Sequence, residues 1–304
     1  MFKNKIKKID EFINSYLKLS IYNSALGFAR SSLAIGTLLT FLFNNEHVMF
    51  KSGINQNWSS ALVPINNFNI FWAVSDQHIT LLKWALCVIL CIIASGWRPR
   101  YTCIIHWFIS TCFFNASLDI EGGDQIAANI TLLLIPICLF DNRKFHWENI
   151  TQPITNTLQS VKNIIANSFF YLIKIQVCVI YFHSAVGKFV VPQWINGTAL
   201  YYWFNHPVFG MVDALKYIAN PIVTNSYLAF LLCWSVMIFE LLLSAAILMN
   251  KKYYKILFQL GVGFHFMIIV VHGLFSFFFS MLAILSIYLM IDYYNYKLHK
   301  LTYE

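Results

Sequence analysis

The chain has 304 residues, a formal net charge of +8, 59% hydrophobic residues and only 11% charged ones. Soluble domains carry about 25% charged residues, so a water-facing surface cannot be assembled at this length and a soluble enzyme is excluded. The basic residues fall in short clusters between apolar runs instead of on one face, which excludes nucleic acid as a partner and points to membrane topology.

Residues 1–24 hold Lys3, Lys5, Lys7, Lys8 and Lys18, with Phe2, Ile6, Ile9, Ile13 and Tyr16 recurring at helical spacing. That pattern predicts an amphipathic helix lying on the cytoplasmic membrane surface. Residues 25–304 are then one transmembrane domain. No cleavable signal peptide is read, because the first apolar run starts only near Ala25 and no small-residue cleavage site follows it.

Eight apolar runs follow: Ala25–Phe43, Ile79–Ser95, Tyr101–Asn115, Ile126–Phe140, Phe169–Gly187, Ser226–Met249, Tyr254–His272 and Leu274–Ile291. Several approach the roughly 20 residues that cross a bilayer core as a helix. Their apolar character is continuous, with no alternation, so the fold class is all-α, a polytopic membrane helix bundle and not a barrel.

The loops between these runs sort by charge. With a cytoplasmic N-terminus the inner segments hold the five early lysines, Arg98 and Arg100, Arg143, Lys144 and Lys162, Lys251, Lys252 and Lys255, and Lys297 and Lys300. The opposite loops hold only Lys51, Lys188 and Lys216. This asymmetry predicts both termini in the cytoplasm of a multi-pass plasma-membrane protein. The two largest outer loops, about 44–78 and 188–225, are rich in Trp58, Trp72, Trp194 and Trp203, aromatics suited to the membrane interface. All seven cysteines lie in apolar segments, and neither a disulfide framework nor a metal site is read from them; Cys87 and Cys91 share a helix face but suit packing as small hydrophobes.

Ionisable residues within spans need a partner or a purpose, because charge in hydrocarbon costs roughly 2.5 to 3.5 kcal/mol on insertion scales. Arg30 in the first span and Glu240 in the sixth stand at matching depth in the inner half, which predicts a structural ion pair between them, with a substrate or proton site there as the alternative. Toward the outer face Lys188 ends the fifth span, His183 lies about 8 Å deeper on it by helical rise, Asp124 opens the fourth span and His272 ends the seventh. Each has a simpler reading singly, as a helix cap, a snorkelling head or an interfacial ring. Together they form a candidate catalytic set for an outer-facing pocket, with Gly122, Gly123, Trp194 and His265 as candidate binding residues. Lys83, Lys174 and His106 are expected to snorkel, and Asp119, Glu121 and Asp124 to be solvated acids.

Several motifs carry a family resemblance. Phe28-Ala29-Arg30, Gly122-Gly123-Asp124-Gln125, the stretch from Tyr181 to Gly197, Phe239-Glu240, and the run from His265 to Met281 occur in the order of the HTTM family. That is the membrane domain of vitamin K-dependent gamma-glutamyl carboxylases, and the opening from Tyr22 to Asn44 most resembles its SdpB-like branch in antimicrobial-peptide systems. The SdpB-like resemblance implies a maturation factor for a secreted peptide precursor, working with companion maturation proteins, whether or not it is itself an enzyme. The carboxylase resemblance implies a reduced quinone as cofactor and a basic role for Lys188, although Val190-Val191 stand where an acidic residue is usual; the cofactor stays unassigned. The alternative is a non-enzymatic membrane protein that binds or transports the peptide or a small hydrophobic ligand, with a helix break between Gly187 and Gly197.

Overall fold

The computed structural model describes residues 21–50, 68–148, 157–207 and 209–303. The expected surface helix over residues 1–24 lies almost wholly outside them, as does Trp58. Among the described residues the chain is helical, without a strand.

Its long helices are α1 (Ser24–Phe43), α2 (Ile79–Ala94), α3 (Pro99–Ala116), α4 (Gly122–Cys138), α5 (Thr157–Lys188), α6 (Ser226–Ala245), α7 (Tyr254–His272), α8 (Phe275–Leu285) and α9 (Ile291–Tyr303). A π-helical turn, Ser286–Met290, joins α8 to α9 in one rod. Each of the eight predicted runs therefore has its helix. Among the described residues six stretches, on α1, α2, α5, α6, α7 and the α8–α9 rod, are long and apolar enough to cross a membrane, and α4 is a shorter apolar helix. At the fifth run the helix starts at Thr157 and not at Phe169, because a polar turn containing Gln159 and Asn163 continues the helix beyond the apolar segment.

Local chemistry sets the ends. Asn23 accepts hydrogen bonds from the amides of Ala25 and Leu26 at the start of α1, and Asn225 does so for Tyr227 and Leu228 at the start of α6. Pro99 opens α3, where its missing N–H leaves nothing unpaired. Gly273 closes α7 with φ +70°, a conformation that glycine adopts without strain.

In a bilayer, apolar burial does not drive helices together, so close packing of small residues and polar contacts decide which helices sit centrally. Two stand out: 61% of the apolar window of α1 and 72% of that of the α8–α9 rod are buried, against 28 to 39% for α2, α5, α6 and α7. Small residues let α1 take this place, and at Gly36 a Cβ would stand 3.1 Å from the Ser276 carbonyl of α8. Around this pair α2 packs on α1, α4 on α3, α5 and α8, α6 on α5, and α7 on α8. Phe41, Phe50, Phe71 and Phe113 close the end of α1 away from the arginine-rich loops, with ring centroids 4.5 to 6.5 Å apart.

Between α5 and α6 the chain does not simply turn. Short helices Pro192–Ile195, Ala199–Phe204 and Asp213–Val223 clothe the first turns of α6. The Trp234 indole donates to the Ile195 carbonyl at 3.1 Å, and Gly197, with φ +82°, lies where a Cβ would meet the Phe230 backbone. α6 thus extends well past the end of α5, which fixes the depth of the site.

Candidate functional site

Lys188 closes α5 but lies alongside the middle of α6. Its ammonium donates to Glu240 Oε1 at 2.8 Å and Oε2 at 2.7 Å, and to Ser184 Oγ at 2.9 Å. The Ser184 hydroxyl in turn donates to Glu240 Oε1 at 3.0 Å. Trp194, from the first short helix after α5, places its ring 5.2 Å from the Lys188 ammonium. Lys188 is 14 residues from Lys174 on α5, and Glu240 is 14 from Ser226 on α6, so each pair is separated by about 21 Å of helical rise. The Lys188 and Glu240 side chains are 18% and 7% exposed, so the pair sits inside the bundle.

Arg30 and Glu240 do not meet, which corrects the expected ion pair. Arg30 donates to His146 Nδ1 at 2.9 Å and Thr102 Oγ1 at 3.1 Å. The reason is the loop after α4, where Arg143 grips Asp141 at 2.8 Å and donates to the carbonyls of Asn23, His146 and Glu148, drawing His146 over the start of α1. Burial, then the nearby Arg30 charge, push His146 down to about 2. A neutral ring accepts from Arg30 at Nδ1 and donates from Nε2 to Ser31 Oγ, 3.0 Å away.

The residues expected to snorkel are also buried. Lys83 pairs with Glu46 at 2.6 Å, and Lys174 pairs with Asp292 on α9, to which Lys251 adds a contact at 3.3 Å. The Lys83 ammonium, followed by the Thr80 hydroxyl, holds Glu46 down to about 2. His106 is buried on α3. In each case a neighbouring helix covers the position before the side chain can reach the interface.

The four candidate catalytic residues divide between two cavities. A cavity of about 570 Å³ lies among α4, α5, α6, α7 and α8, lined by Gln125, Asn129, Gln176, Ser184, Glu240 and His265, with Gly122 and an exposed His183 also on its wall. Lys188 stands at its edge through Ser184 and Glu240. Within it the Tyr181 hydroxyl contacts His265 Nε2 at 2.9 Å, while His265 Nδ1 has no protein partner.

Asp124 and His272 line a second cavity of about 760 Å³, with Glu121, Trp203 and Ser276. There Asp124 accepts from the Glu121 amide at 3.1 Å in a reciprocal capping box, and His272 Nδ1 contacts the Phe209 carbonyl. Glu121 also receives the Ser276 hydroxyl of α8. Burial and then the Asp124 charge push Glu121 up to about 7, so neither it nor the buried Asp124 is the solvated acid expected. Gly123 explains the seam between the cavities, for a Cβ there would come within 2.7 Å of the Phe277 Cα.

Sequence reasoning did not single out Ser184, Tyr181 or the side-chain amides of Gln125, Asn129 and Gln176 as site residues. Ser184 carried a signal, since it lies four residues before Lys188 and shares its helix face. Chemically, a hydroxyl whose proton already points at a carboxylate, beside an ammonium, has the layout of an activated nucleophile or a proton relay.

Two curated relatives cover most of the chain. It is 32% identical over 288 residues to the uncharacterized protein YitO of Bacillus subtilis (strain 168), covering 93% of this chain and 91% of the relative. It is 32% identical over 284 residues to the sporulation-delaying protein SdpB of the same organism, covering 93% of this chain and 85% of the relative. No protein-family model matches the chain, and no solved structure does.

Proposed function

The chain belongs to the SdpB family, and from that premise we propose that it is a maturation factor for a secreted antimicrobial peptide or toxin, acting within the cell membrane. The supporting observation is the Lys188–Glu240 pair with Ser184 at the edge of a polar cavity inside the bundle. Ionisable groups at such depth mark function more often than stability. A precursor peptide in the cavity lies beside a carboxylate, a hydroxyl and an ammonium held in one hydrogen-bonded set. Lys188 works through Glu240: its protons are directed at the carboxylate and Ser184, so it fixes the carboxylate's charge and orientation. Passing one proton across the 2.7 Å contact leaves an amine and a carboxylic acid, an acid–base couple ready at the cavity wall.

The test uses cells that carry the partner peptide and compares Lys188→Arg and Lys188→Ala at equal membrane abundance. Maturation of the peptide should fall by at least about tenfold in the alanine variant, the scale of one general acid–base or positioning group. Arginine keeps the charge but does not release its proton near neutral pH. Full activity in the arginine variant alone rejects the acid–base couple and keeps the positioned charge; full activity in the alanine variant rejects the site.

A further inference from the structure

We propose that the 570 Å³ cavity binds the main chain of a short extended peptide segment through the side-chain amides of Gln125, Asn129 and Gln176. The inference deepens the peptide-maturation reading and rests on it for the source of the peptide, though the ligand chemistry follows from the cavity wall.

Gln125 and Asn129 are exposed and Gln176 is half-buried, and among the described residues their side-chain amides make no protein hydrogen bond, while His265, 3% exposed, leaves Nδ1 unpaired on the same wall. Gln125 and Asn129 are one turn apart on α4, and Gln176 faces them from α5 together with Ser184. At the edge of the same cavity Lys188, Glu240 and Ser184 satisfy one another. A buried polar group left unpaired is costly in a bilayer, where no water replaces the missing partner, and on this wall that cost falls on His265 Nδ1. That nitrogen, with three open amides beside the same cavity, points to a ligand that completes the bonds.

The chemistry of the row selects the ligand. A carboxamide presents a donor and an acceptor side by side, and another amide matches both. Oxidised quinones and lipid esters offer acceptors only and would leave the amide oxygens unpaired, and a quinol's two hydroxyls stand on opposite sides of its ring and not side by side as an amide's donor and acceptor do. An anionic headgroup meets Glu240 and finds the Lys188 ammonium already engaged. The remaining wall, with Ile126, Ile180, Phe264, Phe277 and Met281, suits apolar side chains. Length agrees as well: Gly122 to Ile130 and Gln176 to Ser184 each span roughly 12 Å by helical rise, the reach of about four extended residues.

The probe is a blocked Leu-Ala-Leu-Ala peptide carrying one photoreactive diazirine, added to the full chain in lipid nanodiscs. Its twin has every backbone nitrogen methylated and so lacks the N–H donors. Photolysis should attach the first probe to α4, α5 or α7 at least about tenfold more than the second, as expected for losing one or two well-formed hydrogen bonds. The triple variant Gln125→Leu, Asn129→Leu, Gln176→Leu should lose the preference while unfolding at or above the parent's temperature. Equal capture of the two probes by the parent chain overturns the proposal even if the triple variant does not fold, and so does preferential capture that survives in a folded triple variant. Maturation in cells is read separately. Selective capture alongside full maturation in Lys188→Ala rejects the function and leaves the ligand class standing.

Discussion

Glu240 shows how a single neighbour decides what a residue does. Carboxylate and ammonium are both largely buried, so removing one leaves the other unpaired at a cost of about 3 to 5 kcal/mol, more than removing both. Lys188→Met and Glu240→Gln should each lower folded yield in detergent, and the double variant should recover part of it; strictly additive losses would deny the coupling. Glu121 makes a prediction of a different kind. Its carboxyl, ordinarily near 4.5, holds its proton up to about 7 in the folded chain. The stability it contributes is therefore full below the unfolded value and is lost as pH rises through the folded one. The unfolding temperature in nanodiscs should carry a decline between about pH 5 and pH 8 that Glu121→Gln removes. An unchanged profile in that variant would assign the decline to another group.

At the scale of elements, the contact of α4 with α8 depends on the paired glycines. A Cβ at Gly123 would meet backbone atoms of Phe277, whereas one at Gly122 would find only the Phe277 ring, at 3.5 Å. Gly123→Ala should destabilise the bundle by about 1 to 3 kcal/mol, the usual range for overpacking, and Gly122→Ala should be close to neutral; thermal unfolding of the two purified variants compares them. The sequence made this turn visible as a Gly-Gly-Asp start to a helix. It did not reveal that α8 lies against it, because that contact joins residues about 150 positions apart in the chain.

For the whole molecule the remaining prediction is orientation, which the loop charges give and side-chain packing does not. In a cysteine-free background Gly122→Cys should react with a membrane-impermeant reagent from outside, and Lys252→Cys only from inside. The reverse pattern would invert every assignment of inner and outer faces, including that of the two cavities.

The sequence by itself determined the helical membrane class, the place of the eight apolar runs and, through the opening from Tyr22 to Asn44, the resemblance to the SdpB branch. Those follow from local properties, since continuous apolarity and loop composition are read within a window of the chain. What only the tertiary structure decided is which charges meet. Depth counted from the ends of predicted runs set Glu240 level with Arg30 and put Lys188 at the outer end of its span. In the fold α6 rises past the end of α5 under the short helices, bringing Glu240 to Lys188, while the loop carrying Arg143 folds back to give Arg30 its histidine. Helical rise measures depth along one helix; the offset between two helices comes from packing, and packing involves residues far apart in sequence.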